Sequence, residues 1–163
     1  MKDKIIEESI ESLRREGLKF SIDALADKLK VSKKTIYKYF PDKESLAVAI
    51  YERYYATAVQ QAETLIREDT DMSHKELIRL YFDSKVITRR EIFNKYKLNQ
   101  TIYDCTVRYA DALWDVISAS FKNNPSEADK AVLRIIVDGS LEKLCSVGSN
   151  PEAVTERLVY WLW

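Results

Sequence analysis

The segment VSKKTIYKYFPDKESL, residues 31–46, concentrates lysines and tyrosines that could bind an anionic polymer. Six lysines and one acidic residue, Asp42, lie between Lys28 and Lys43 inclusive, although the whole chain has 26 basic and 26 acidic residues. Lysine ammonium groups bind phosphate oxygens and guanine edges, and tyrosine hydroxyls donate to phosphate. The pattern therefore predicts a local nucleic-acid contact. It also fits a solvated lysine face with half-buried tyrosines, and charge alone leaves both readings open.

The elements that would position these side chains are helices. Apolar residues recur at helical spacing along the chain, and only three glycines and three prolines occur. The sequence thus predicts an all-α fold of about nine helices without a strand. We expect Gly17 and Gly148 to end two of them. Capping boxes, in which two side chains bond each other's free backbone amides, are expected at Ser73 with Glu76 and at Thr88 with Glu91.

A helix-turn-helix is expected within the lysine-rich region. Ser21 caps a second helix, KVS forms a short turn, and Ser32 caps a third helix that Pro41 ends. In this motif the second helix of the pair enters the major groove. Lys33 and Lys34 occupy its first turn, where the helix dipole disfavours cations, so an anionic partner would explain them. Lys43 and free amides at the start of the fourth helix are expected to form an anion site.

The stretch FSIDALADKLKVSKKTIYKYFPDKESLAVAI resembles the N-terminal domain of the tetracycline-repressor (TetR) family. The similarity lies in the KVS turn, the TIYKYF recognition helix and the PDKESL opening of the fourth helix. Two residues depart from the family pattern: Lys30 replaces the usual turn glycine, and Tyr39 replaces a common histidine. The resemblance implies a DNA-binding site made of Ser21, Ser32, Lys33, Lys34, Thr35, Tyr37, Lys38, Tyr39 and Lys43.

The resemblance also implies two domains. Residues 1–45 would form the helix-turn-helix domain, and residues 46–163 a helical domain for ligand binding and dimerisation. An aromatic-rich middle section supplies candidate pocket residues for a largely apolar effector, although each of them also fits an ordinary core: Tyr55, Tyr81, Phe82, Phe93, Tyr103 and Trp114. The last two helices carry apolar stripes expected at a homodimer interface or in the monomer core, namely Val132, Ile135, Ile136, Gly139, Val154, Leu158 and Trp161.

These features favour a ligand-responsive homodimeric repressor that binds a palindromic operator in double-stranded DNA. A ligand-independent architectural or adaptor protein would share the same DNA-binding segment. A helical-bundle hydrolase is a third class, but no acid pair stands out, and the one histidine, His74, is expected to be a solvated residue at a helix start. We expect no enzymatic activity, no cofactor and no metal. Without an apolar run long enough to cross a membrane, a cytoplasmic location is expected.

Overall fold

The computed structural model describes residues 1–16, 20–144 and 150–163. Within these ranges the chain is all-α with no strand, as predicted, and it forms nine helices. In chain order they are α1 (Lys2–Glu16), α2 (Ile22–Leu29), α3 (Lys33–Tyr39), α4 (Lys43–Glu68), α5 (Asp71–Ile87), α6 (Arg90–Tyr96), α7 (Gln100–Ser118), α8 (Glu127–Leu144) and α9 (Pro151–Leu162). Gly17 and Gly148, the predicted helix stops, lie outside the described residues. None of the described helices combines the length and the apolar character that a membrane span requires.

The chain forms two compact units. Unit 1 comprises Met1–Thr57 and Asp83–Ala110, and unit 2 comprises Ala58–Phe82 and Asp111–Trp163. Unit 1 therefore contains the helix-turn-helix pair, the first half of α4, α6 and the first part of α7. The functional division into residues 1–45 and 46–163 stays a prediction, because compactness does not report which residues bind DNA.

The core of unit 1 holds the first four helices together. Apolar side chains from α1 to α4 and from α6 share one buried cluster, which includes Ile5, Leu25, Ile36, Phe40, Leu46, Ile50 and Ile92. Each such side chain contributes about 1.5–3 kcal/mol when it is fully buried. A helix of seven residues such as α3 is unstable by itself, so this packing determines whether α3 forms and which way it faces.

Unit 2 is closed by contacts between its helices and the chain end. The amide of Lys122 donates to the carbonyl of Leu162 at 2.8 Å, and the indole of Trp163 donates to the Ser120 hydroxyl at 3.1 Å. Lys75 of α5 bonds Glu152 and Glu156 of α9 at 3.2 and 3.1 Å. These contacts tie α9 to both α5 and the segment after α7.

Both predicted capping boxes are wrong. Helix α5 begins earlier than expected, and its cap is a pair formed by Thr70 and Ser73, whose side chains accept each other's backbone amides at 2.8 and 3.0 Å. Thr88 instead donates its hydroxyl to the Ser84 carbonyl at 2.8 Å, and α6 begins after Arg89 without a side-chain cap. In both places the helix begins at a residue other than the expected one.

Candidate nucleic-acid interface

The two helices of the helix-turn-helix begin at the predicted serine caps. Ser21 accepts the amide of Ala24, and Ser32 accepts the amide of Thr35, each at 3.1 Å. Each bond satisfies one of the amides that a helix start leaves free, and a cap of this kind contributes about 1 kcal/mol. Both serine hydroxyls are therefore already engaged within the protein, as expected for residues that fix where α2 and α3 start.

The turn between α2 and α3 is made at Lys30. Its backbone has φ 52 and ψ 43, the left-handed region that glycine adopts freely and other residues enter at about 1–2 kcal/mol. Its amide donates to the carbonyl of Asp27 at 3.1 Å. Lys30 therefore takes the conformation for which a turn glycine is suited. The helix-turn-helix still forms with lysine in place of the glycine that is usual at this position.

The register of α3 separates buried from exposed side chains. Ile36 and Phe40 are 1% and 3% exposed and belong to the unit 1 core. Lys34, Tyr37 and Lys38 are exposed, with Tyr37 at 45%. We call these three side chains, with Lys33, the recognition face. A short helix held in this way presents amines and a phenol to solvent while its apolar side is fixed.

Two further residues of the predicted site flank the recognition face. Tyr39 is 39% exposed, at the end of α3. Thr35 is half-buried, and its hydroxyl lies 3.0 Å from that of Ser32. Thr35 thus takes part in the helix start, whereas the Tyr39 ring is largely available.

Internal ion pairs engage two of the six lysines between Lys28 and Lys43. Lys33 pairs with Asp23 of α2 at 2.5 Å, and this hydrogen bond raises the pKa of Lys33 above its ordinary value. Lys28 pairs with Glu16 of α1. The other four, Lys30, Lys34, Lys38 and Lys43, form no ion pair within the parts of the chain that the structure describes. Positive charge not balanced by a neighbouring acid therefore remains on α3 and at the start of α4.

The expected anion site at the start of α4 is partly filled by the protein itself. Asp42 accepts the amide of Ser45 at 2.7 Å, and this bond holds the pKa of the Asp42 carboxyl below its usual range. One free amide at this helix start is thus already satisfied by a carboxylate. Lys43 is exposed beside it, so its ammonium group, more than the helix amides, is what remains to bind an external anion.

The candidate effector residues fall into both units. Tyr55, Phe93 and Tyr103 belong to unit 1, while Tyr81, Phe82 and Trp114 belong to unit 2. In unit 1 the rings of Phe93 and Tyr103 meet edge to face at 5.1 Å. Their role as one ligand pocket stays a prediction.

In unit 2 the aromatic side chains surround a polar group that sequence reasoning missed. The Tyr81 hydroxyl donates to Asp138 at 2.8 Å and accepts from Arg134 at 3.2 Å, while Arg134 bonds Asp111 at 2.7 Å. The Tyr81 ring lies 5.1 Å from that of Trp114. Arg134 and Asp138, four residues apart, share a helix face, and this spacing was the available signal.

A second feature missed in the sequence is the hydroxyl of Tyr54 in unit 1. It is buried, and within the described residues it has no partner with hydrogen-bond geometry. Burial raises the pKa of Tyr54 to about 12, and the Arg14 guanidinium, 5.3 Å from the ring centroid, partly offsets that rise. A buried hydroxyl without a partner destabilises a protein by about 1–3 kcal/mol.

The expectation for His74 is wrong. The ring is buried, stacks on Trp163 with centroids 4.6 Å apart, and has its Nε2 3.1 Å from an Asp69 oxygen. Its neighbours close unit 2, so the histidine is a packing residue. The described residues contain no cluster of three or more histidine, cysteine or acidic side chains that could hold a metal.

The residues proposed for the dimer interface divide into exposed and buried groups. Val132, Ile135, Ile136 and Gly139 on α8 and Trp161 on α9 are exposed, with Ile135 at 72%. Val154 is half-buried. Leu158 is 2% exposed and packs inside unit 2, so it is not available to a partner in this conformation.

Comparison with known families locates a relationship in the same segment, and two bacterial regulators share similarity with about half of the chain. Residues 5–50 match the family described as bacterial regulatory proteins, tetR family. An uncharacterised HTH-type transcriptional regulator of Mycobacterium tuberculosis (strain CDC 1551 / Oshkosh) is 30% identical over 86 residues, which are 51% of this chain and 37% of that protein. YvaF of Bacillus subtilis (strain 168), another HTH-type regulator, is 29% identical over 79 residues, 48% of this chain and 41% of YvaF. The match thus spans about two-fifths of the length of these relatives.

Solved structures share the fold over nearly the whole chain. A transcriptional regulator from Saccharomonospora viridis, solved in complex with choline, has a TM-score of 0.75 at 17% identity, with 96% of this chain and 92% of that chain covered. The multidrug-binding protein EbrR, solved with imidazole, has a TM-score of 0.55 at 16% identity, with 99% and 94% covered. At these identities the likeness establishes the fold.

Breaking the Asp23–Lys33 ion pair should strengthen DNA binding. Asp23→Asn leaves Lys33 without its acidic neighbour and removes a negative charge beside the recognition face. We expect affinity for double-stranded DNA at low salt to rise about two- to fivefold, measured by fluorescence anisotropy.

The matched control is Asp3→Asn, which removes an exposed acid paired with Arg53 on α4. It should leave DNA affinity near the parent value. In a Lys33→Gln background the effect of Asp23→Asn should shrink, because the two residues act together. If Asp23→Asn raised DNA affinity equally in the parent and in the Lys33→Gln background, the Asp23–Lys33 pair would not restrain DNA binding.

Proposed function

We propose that the chain is a DNA-binding transcriptional regulator of the tetR family of bacterial regulatory proteins, whose family model matches residues 5–50. It acts as a homodimeric repressor on a palindromic operator in the cytoplasm, responds to a small-molecule effector, and has no enzymatic activity. The observation that carries the proposal is the recognition face: α3 is anchored by Ile36 and Phe40, and its lysines and Tyr37 point outward.

The DNA contact divides into positioning and base-reading parts. Lys43 and Tyr37 contact phosphates, where a lysine ammonium or a phenol hydroxyl fixes the protein on the duplex without reading sequence. Lys34 and Lys38 reach guanine edges in the major groove, which present two acceptors to a cationic side chain. Ser21, Ser32 and Thr35 contribute mainly by holding the starts of α2 and α3. Tyr39 takes the place of a phosphate-binding residue, using its hydroxyl.

The homodimer forms through the exposed apolar face of α8 and α9. Val132, Ile135 and Ile136 lie within one and a half turns of α8, and Trp161 adds a large exposed ring from α9. Solvent-exposed apolar residues gathered in this way are typical of a protein interface. At Gly139, apart from its chain neighbours and the backbone of its own helix, no atom of the described residues lies within 4 Å of the position a Cβ would take, so another backbone has room to approach. Leu158 supports this face from inside unit 2.

The effector is a small, largely apolar molecule with one hydrogen-bonding group. The buried, unpartnered hydroxyl of Tyr54, beside the Tyr55 ring at 5.2 Å, offers that group a partner in an otherwise aromatic setting. The solved relatives that bind choline and imidazole are consistent with small ligands for this fold. The effector changes DNA binding only if its affinity differs between DNA-competent and DNA-incompetent conformations.

Selection of bound fragments from random duplex DNA tests the function. Two-fold symmetric sites with half-sites about 34–36 Å apart, one helical turn, are the expected result.

Lys43→Ala should weaken binding to all sequences and lower the salt slope by about 0.9. Lys34→Ala should change the selected bases, at about 1–3 kcal/mol per lost base contact.

Lys4→Ala, which removes an exposed lysine of α1, is the control for both effects. An unchanged salt slope for Lys43→Ala would show that Lys43 does not contact a DNA phosphate. A protein that enriches no sequence and does not bind duplex DNA in dilute buffer would contradict the proposal as a whole. Binding without symmetry or effector response would instead favour the architectural alternative.

The dimer surface has its own test. Ile135→Asp places a charge at the centre of the exposed apolar face, and we expect the dimer to dissociate at least tenfold more readily in sedimentation equilibrium. Lys130→Asp, five residues earlier on the same helix, is the control for added negative charge, and it also breaks the Lys130–Glu127 ion pair. A monomeric parent protein, or an Ile135→Asp protein as dimeric as the parent, would show that this face does not mediate association.

The effector site is tested by thermal shift with choline, imidazole and a panel of neutral aromatic alcohols. A compound that uses the Tyr54 hydroxyl should stabilise the parent protein and lose most of that shift in Tyr54→Phe. Without ligand, Tyr54→Phe should be as stable as the parent or more so, because it removes an unsatisfied hydroxyl. Tyr39→Phe is the control. Shifts that are the same in Tyr54→Phe and parent would exclude this hydroxyl as the ligand contact.

A further inference from the structure

Unit 1 contains an apolar cleft that none of the candidate effector residues lines. Its walls come from α1, α4 and α6, including Leu13, Leu46, Ile92 and Tyr96. The space free of protein atoms is about 460 Å³ when the open solvent at the mouth is included, so the enclosed part of the cleft is much smaller than that. The cleft borders the helix-turn-helix core, because Leu13, Leu46 and Ile92 also belong to the cluster that buries Ile36 and Phe40.

Polar groups in the cleft wall are few, and most of them are already used. The Tyr96 hydroxyl donates to the carbonyl of Phe20, and the Tyr51 hydroxyl donates to the carbonyl of Ile87 at 3.1 Å. Among the described side chains that line the cleft, the remaining polar group is that of Lys43, which is exposed and forms no ion pair within the described part of the chain. The cleft thus combines an apolar interior with one uncompensated positive charge at its rim.

We propose that this cleft binds a small carboxylic acid with an apolar body, whose carboxylate pairs with Lys43. Removing the apolar body from water favours binding, and the charge pairing selects an acid over an alcohol of the same length. None of the described side chains that line the cleft is acidic, so none of them repels the carboxylate.

Because Lys43 also belongs to the proposed DNA contact, a ligand in this cleft would change DNA binding directly. This second step rests on the proposed function. A carboxylate held by Lys43 competes with the DNA phosphate for the same ammonium group. The acid therefore weakens DNA binding by occupancy of unit 1 itself, separately from any effector bound near Tyr54.

Calorimetric titration of the full chain without DNA tests the cleft alone, with octanoate and 1-octanol as probes. Both should bind, octanoate more tightly. Lys43→Gln should weaken octanoate about fivefold and leave 1-octanol unchanged. Lys4→Gln, the exposed control, should change neither. Ala47→Leu fills the cleft from α4 and should weaken both probes at least tenfold, provided that circular dichroism shows a folded protein.

Two results would overturn the site: equal affinities of octanoate for the parent and Lys43→Gln, or undiminished binding in a folded Ala47→Leu protein. Lys43→Gln changes an exposed side chain, so the first comparison holds even if Ala47→Leu does not fold. In a second arm, octanoate should lower DNA affinity of the parent and not of Ala47→Leu. Octanoate binding with no effect on DNA would overturn the competition, while a failure to bind DNA at all would count against the proposed function and leave the calorimetric result standing.

Discussion

Burial of Ile36 and Phe40 is the interaction on which the recognition face depends. These residues are four positions apart, so they lie on the same side of α3 and enter the unit 1 core together. A seven-residue helix has too little internal hydrogen bonding to persist alone, and the core supplies the missing stability. Because one side of α3 is fixed in the core, the side chains of Lys34, Tyr37 and Lys38 face solvent.

Part of the positive charge on the lysine-rich surface of α3 and the start of α4 is balanced by acids of the same unit, which affects how this surface binds an anion. Asp23 neutralises Lys33, Glu16 neutralises Lys28, and Asp42 fills part of the helix start beside Lys43. In the free protein these acids limit repulsion among the lysines. Binding a phosphate requires some of these contacts to be exchanged, so the acids should moderate affinity for any duplex. The lysines without an acidic partner then supply the attraction.

The local features of unit 1 could be read from the sequence because they depend on neighbours along the chain. The caps at Ser21 and Ser32, the turn at Lys30 and the inward face of α3 involve residues no more than four apart. The Asp23–Lys33 pair could not be foreseen, since it depends on how α2 packs beside α3. The buried state of Leu158 depends in the same way on which side of α9 faces its own unit.

In unit 2, too, contacts between residues far apart in the chain could not be predicted from the sequence. Ser73 is expected from its sequence to cap α5 itself, but α5 begins earlier and Ser73 pairs with Thr70 instead. His74 is buried because Trp163, almost ninety residues further along, stacks on it. Patterns of residue type therefore predicted the helices and the caps of α2 and α3 better than they predicted which side chains contact one another. A ligand site depends on those contacts.

The central claim is that the exposed side of α3 is the surface that meets DNA. The most direct measurement is an amide NMR titration of the labelled protein with duplex DNA carrying a selected site. The account predicts that the largest shift changes fall on residues 33–39 and on Lys43, with little change on α8 and α9. Changes confined to other helices, with α3 unaffected by the duplex, would contradict it.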